Sequence, residues 1–129
     1  MNISRPSIGQ FLLNTGDVVI AQMIEQDENS FTLNYAVTVN ELDDLDYDDL
    51  EVIEGRNYYV MKPFIAYTEN LETHCAVNPI SVVCLCTPAD SLIDQYLTSC
   101  KTIQEALGNG EPVPKTPLEN NVVTFKPKD

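Results

Sequence analysis

LNTGDVVIAQMIEQDENSFTLNYAVTV, residues 13–39, holds two β-rich runs joined by a polar turn. Asn14, Thr15, Gly16 and Asp17 form a turn signal ahead of the first run. Gly16 tolerates positive φ, and the short polar side chains beside it can bond nearby backbone groups. In the run that follows, Val18, Ile20, Gln22 and Ile24 share one face of a strand, and Val19, Ala21, Met23 and Glu25 share the other. Both faces are largely apolar, which predicts a strand partly covered on each side. Its β-branched content argues against a helix. Asp27, Glu28, Asn29 and Ser30 supply a second turn, so a hairpin is expected. Beyond it, Phe31, Leu33, Tyr35, Val37 and Val39 alternate with Thr32, Asn34, Ala36, Thr38 and Asn40. This period of two predicts one apolar and one polar face, with a register fixed by burial of the apolar set.

Residues 8–13 read as a first strand after a short arm containing Pro6. Residues 57–67, NYYVMKPFIAY, read as a fourth, with Pro63 at an edge or bulge because it lacks a donor. Residues 74–86, HCAVNPISVVCLC, read as a fifth, broken near Val77, Asn78 and Pro79. Thr87 then suits a helix N-cap, Pro88 the first helical position and Asp90 the third. Leu92, Ile93, Tyr96, Leu97, Cys100, Ile103 and Leu107 make an apolar stripe at helical spacing, stopped by Gly108, Asn109 and Gly110. Residues 111–129 contain four of the eight prolines and read as an extended tail in which Val122–Phe125 could dock as a strand.

The 129 residues fit one domain, and a hydrophobic content of 43% is ordinary for a globular chain. Twenty acidic residues against seven basic ones give a formal charge of −13. That charge repels phosphate backbones and disfavours bulk nucleic-acid binding. No secretory signal or bilayer-length apolar run is visible, so a cytoplasmic location with reduced thiols at Cys75, Cys84, Cys86 and Cys100 is expected.

The acidic residues are concentrated in residues 41–54, ELDDLDYDDLEVIE, which hold eight acids and no base. Asp44, Asp46 and Asp48 have the alternate spacing that opens a calcium loop. The sixth position would be Asp49 where glycine is required, and the twelfth is Gly55 in place of a bidentate glutamate. A solvated acidic loop carrying Asp43, Asp44, Asp46, Asp48 and Asp49 is the plainer reading. His74 and Cys75 are consecutive, so on a strand they point to opposite faces and cannot act as a nucleophile–base dyad. His74, Cys75, Cys84 and Cys86 lack the paired CxxC spacing of a zinc site, and ordinary buried thiols are expected. No catalytic residue, metal or cofactor is assigned.

Gly16, Ala21 and Asp27 resemble the first motif of Sm-like proteins, where a glycine is followed five residues on by a small residue and eleven on by an aspartate. TPADSLIDQYL, residues 87–97, extends the resemblance to Sm-like proteins of tailed bacteriophages. It covers residues 8–96 outside the acidic insert. The resemblance implies a small, strongly bent, five-stranded antiparallel barrel with a C-terminal helix, assembled as a homo-oligomeric ring. The family's RNA pocket does not carry over: Ser30 and Phe31 stand where a Met-Asn pair is expected, and no Arg-Gly pair occurs near Val82–Cys86.

The expected organisation is one domain over residues 1–110, with the acidic insert at 41–54 and the helix at 88–107, followed by the tail at 111–129. The expected function is non-enzymatic: a ring of phage origin that binds a protein or RNA partner in host cytoplasm, away from membranes. Asn29, Phe31, Tyr58, Tyr59 and Phe64 are the candidate partner-binding residues; the aromatic ones could stack on bases or pack in the core and between subunits. The alternative is an acidic decoy whose carboxylates imitate a phosphate track and occupy a host nucleic-acid-binding protein.

Overall fold

The computed structural model describes residues 3–41, 59–65 and 68–109. A 3-10 turn at Arg5–Ser7 leads into β1 (Ile8–Leu13), β2 (Val18–Gln26) and β3 (Phe31–Glu41). Then come β4 (Tyr59–Pro63), β5 (Cys75–Val77), a 3-10 turn at Pro79–Ser81, β6 (Val82–Cys86) and the helix α1 (Asp90–Gly108). All pairing is antiparallel, in the order β4-β3-β2-β1-β6, with β5 also on β3. β4 joins the end of β3 (Val37 opposite Pro63), while β5 joins its start (Phe31 opposite Val77). The chain is mainly β with a C-terminal helix, as expected. Among the described residues the sheet has six strands, not the expected five, and is not closed into a barrel. The expected fifth strand is split because Pro79 enters a 3-10 turn whose first free N–H, that of Ile80, bonds to the Asn78 side chain at 3.0 Å.

Both turns of the central ribbon form as their residues dictate. Gly16 has φ +92, which L side chains rarely adopt, and its N–H bonds to Leu13 O at 2.9 Å. At the second turn one carboxylate oxygen of Asp27 accepts from the N–H groups of Asn29 (2.7 Å) and Ser30 (2.8 Å).

β3 departs from simple alternation. Phe31 and Leu33 pack in one buried cluster, with Phe11, Leu13, Val19, Ala21 and Val77. Tyr35 and Val37 pack in the other, with Ile8, Ile20, Met61 and the helix residues Ile93, Tyr96, Cys100 and Ile103. The expected single apolar face is thus shared between two cores. The change of face is a bulge: Ile20 pairs with Val37 and Gln22 with Asn34, so Tyr35 and Ala36 together oppose Ala21. Tyr35 carries φ +51, a left-handed conformation that costs a bulky residue about 1–2 kcal/mol.

Hydrogen bonds hold that bulge from both sides of the chain. The Tyr35 N–H bonds to the side chain of buried Asn34 at 3.0 Å, and its hydroxyl donates to Glu72 at 2.9 Å. The fully buried Tyr96 hydroxyl donates to Tyr35 O at 2.7 Å and also bonds to the Gln22 backbone. One helix side chain therefore bridges β2 and β3 where their ladder is interrupted.

α1 starts two residues later than expected. Pro88 is buried in the extended connection from β6, Ala89 is the N-cap with ψ 150, and Asp90 opens the helix beside its positive end. Ile93, Tyr96, Cys100 and Ile103 of the apolar stripe are buried, while Leu92, Leu97 and Leu107 lie at the rim. Gln95 and Ser99, one turn apart, bury their polar groups by bonding to each other at 3.0 Å. Gln104 accepts from the Leu71 N–H at 2.7 Å, which fastens the loop before β5 to the helix. Arg5 and Asp94 form a surface ion pair at 2.8 Å; with both side chains half exposed it adds little stability.

Tyr96→Phe keeps the ring and deletes the bridge. The variant is expected to lose about 1–2 kcal/mol, read as a lower urea midpoint with unchanged slope. An unchanged midpoint would mean that the hydroxyl does not hold the bulge.

Candidate functional site

The candidate partner-binding residues do not converge on one surface. Asn29 is exposed in the β2–β3 turn. Phe31 is 8% exposed and its ring meets Phe11 edge-on, with centroids 5.7 Å apart at 67°. Its ring is engaged in the core. Tyr59 is half-buried on β4 opposite Glu41, and Phe64 is half-buried against the core cluster that contains Phe31, its N–H bonded to Ala36 O at 2.9 Å. Tyr58 and the acidic residues Asp43, Asp44, Asp46, Asp48 and Asp49 lie outside the described residues, as do residues 42–54 of the acidic insert and the tail.

The thiols fall into three environments. Cys100 is fully buried, Cys75 is half-buried, and Cys84 and Cys86 are exposed. The expectation of ordinary buried thiols fails for Cys84 and Cys86 because β6 is an edge strand, not a covered one. Burial pushes the Cys75 thiol up, and pushes Cys100 from 9.0 to about 12 against a smaller opposing effect of its hydrogen bond to Tyr96. Desolvation likewise raises the Tyr96 hydroxyl well above the ordinary phenol range, reinforced by neighbouring Cys100. These shifts keep a neutral, protonated pair in the core; they do not generate a nucleophile. Among the described residues no group of three or more His, Cys, Asp or Glu could hold a metal ion. No described helix is long and apolar enough to cross a membrane.

The most exposed apolar surface surrounds β6. Among the described residues this strand pairs with β1 alone, with Phe11 opposite Leu85 and Leu12 opposite Cys84. A register shift between Leu12 and Leu13 leaves Val83 without a β1 partner, and it is 65% exposed. Ile80 in the preceding turn is 85% exposed, and Leu12, Leu85, Cys84 and Cys86 are also exposed. Beside this edge lies an open cavity of about 340 Å³ lined by Pro6, Ile8, Gly9, Met23, Leu85 and Cys86 among others. The cavity reaches down to Gly9, where a Cβ would come within 3.2 Å of Leu85 and Phe11. Sequence reading passed over Leu12, Ile80 and Val83, because an unbroken apolar run looks the same in a covered strand and at a bare edge. The available signal was that residues 79–86 contain no charge in so acidic a chain.

No protein-family model matches this chain, and no curated protein matches it.

Two measurements check these environments. A water-soluble thiol reagent should modify Cys84 and Cys86 first, Cys75 more slowly and Cys100 only on unfolding; early labelling of Cys100 would contradict the packing of α1. The raised Cys100 value also sets a pH dependence. Its contribution to stability is complete below pH 9.0, where folded and unfolded thiols are both protonated, and is lost as pH rises toward about 12. The unfolded chain releases its proton first, so the loss approaches about 1.4 kcal/mol per pH unit. Urea midpoints should therefore fall above pH 9.0, less steeply in Cys100→Ala; equal slopes in the two proteins would refute the assignment.

Proposed function

We propose that this chain is a non-enzymatic Sm-like binding protein of phage origin. It works in host cytoplasm as an assembly of copies joined at their sheet edges, and it takes a protein partner. The observation that carries this reading is the uncharged β6 edge, which pairs with β1 alone among the described residues and has Leu12, Ile80 and Val83 exposed around it. Unpaired strand edges recruit further strands, and apolar patches of this kind mark association surfaces. The bulge of the ribbon at Tyr35 and the Gly16, Ala21 and Asp27 spacing favour the Sm-like assignment. Ring closure of the kind the resemblance implies would set β6 of one copy on β4 of the next.

Protein is favoured over RNA by charge. A formal −13 opposes phosphate, and Phe31, at a position where the RNA-binding family has its pocket, turns its ring into the core. The acidic insert supports the decoy as a second reading: its eight carboxylates would then be the contact surface.

Light scattering after size exclusion should give a mass above the 14.4 kDa of one chain. Filter binding with uridine-rich and adenosine-rich RNA at low salt should show no retention. Capture of a host protein should survive nuclease treatment, and it should disappear on deletion of residues 42–54 only if the decoy reading holds. A monomer that retains RNA would overturn the proposal.

A further inference from the structure

β4 and β6, the two outer strands of the sheet among the described residues, are not equivalent. β4 carries two features that discourage strand addition: Pro63, which has no N–H to donate, and the exposed charge of Lys62. β6 carries neither. Its sequence, VVCLC, has no charge and no proline, and four of its five residues are exposed. In a chain with 20 acidic and seven basic residues, this is where two copies can meet with little electrostatic repulsion. An acidic partner would meet repulsion from the rest of the surface just as a second copy would, but a second copy alone is guaranteed a matching uncharged edge.

The register of β6 against itself is also self-complementary. Full antiparallel overlap of the five residues sets Val82 opposite Cys86, Val83 opposite Leu85, and Cys84 opposite its own counterpart. Only apolar side chains and thiols meet, and the arrangement closes about a two-fold axis. The geometry points to an isologous dimer in which the β6 edges of two copies pair antiparallel about an axis at Cys84, making one sheet continuous across both chains. This rests on the reading that copies associate through sheet edges, and it selects the edge and the symmetry. It differs from the head-to-tail ring, which needs the protected β4 edge as acceptor.

Cys84 reports on this arrangement. Directly opposed residues of an antiparallel pair lie about 4.5–5.5 Å apart at Cα, inside the range a disulfide bridges. The two Cys86 residues would be displaced by four residues along the strands, about 13 Å, beyond that range. Oxidised glutathione, a small disulfide, can drive the bond: one Cys84 thiolate attacks it and releases one glutathione thiol. The partner's Cys84 thiolate then displaces the second, so the two protein thiols lose two electrons and two protons as glutathione gains them.

The test compares two full-length variants, Cys75→Ser/Cys86→Ser and Cys75→Ser/Cys84→Ser, treated with oxidised glutathione and read on non-reducing gels. The variant that retains Cys84 should form disulfide dimers at least about tenfold faster than the one that retains Cys86, because pairing holds its thiols at high effective concentration. Val83→Lys, at a site open enough to take the side chain into solvent, should abolish that difference and reduce the light-scattering mass to one chain while circular dichroism stays unchanged. Equal cross-linking of the two variants would overturn the proposal. A larger assembly without Cys84 cross-links, unaffected by Val83→Lys, would remove the two-fold dimer yet leave edge-joined assembly standing. A monomer without cross-links would remove both.

Discussion

The hydroxyl of Tyr96 sits where the two central strands stop matching. β3 has one more residue than β2 at that level, and Tyr35 takes a left-handed conformation to absorb it. The ladder is broken there, and the Tyr96 hydroxyl occupies the break, donating to Tyr35 O and bonding to the Gln22 backbone. Because the bond is buried, its strength is not diluted by water, and its loss would expose backbone polarity to an apolar core. The bulge is also what lets one strand serve two cores. Phe31 and Leu33 face the cluster that holds Phe11, while Tyr35 and Val37 face the helix.

That arrangement decides what remains outside. The helix covers Ile8, Ile20, Val37 and Met61 but leaves Leu12, Cys84 and Cys86 on the same sheet uncovered. β3 is covered along its outer side by two strands in succession, β5 and then β4, whereas β6 ends the sheet with nothing but β1 beside it among the described residues. The exposed apolar surface therefore follows from how one helix and one bulge divide the burial. The uncharged stretch of residues 79–86 thus coincides with a strand that has a single partner among the described residues.

Much of this architecture is legible in the sequence. β1 falls on residues 8–13 as read, the Gly16 and Asp27 turns form where those residues favour them, and Ile93, Tyr96, Cys100 and Ile103 of the helical stripe are buried. Two errors have one physical origin. Period-two alternation reports which side chains neighbour each other locally, and it stays regular from Phe31 to Val39 while the backbone changes phase at Tyr35. Nothing in Asn34-Tyr35-Ala36 marks a left-handed residue, because tertiary bonds from Tyr96 and Glu72 impose it. Likewise VVCLC reads as a covered strand, since hydropathy cannot distinguish an inner strand from an edge awaiting a partner. The helix starts at Asp90 and not at Pro88 because Pro88 is buried in the extended connection from β6. The candidate site was less legible still. Phe31 is an aromatic residue at a plausible position, but its packing on Phe11 is a contact across the sheet that spacing along the chain does not encode.

The most direct test of the Tyr96 bridge is amide hydrogen exchange at Gln22, measured residue by residue in the native protein and in Tyr96→Phe under conditions where both remain folded. If the hydroxyl completes the broken ladder, the Gln22 amide is protected in the native protein and loses that protection selectively in the variant, while Ile20 and Val37 keep theirs. Exchange at Gln22 as fast as in the Asp27 turn of the native protein, or protection that survives removal of the hydroxyl, would contradict it.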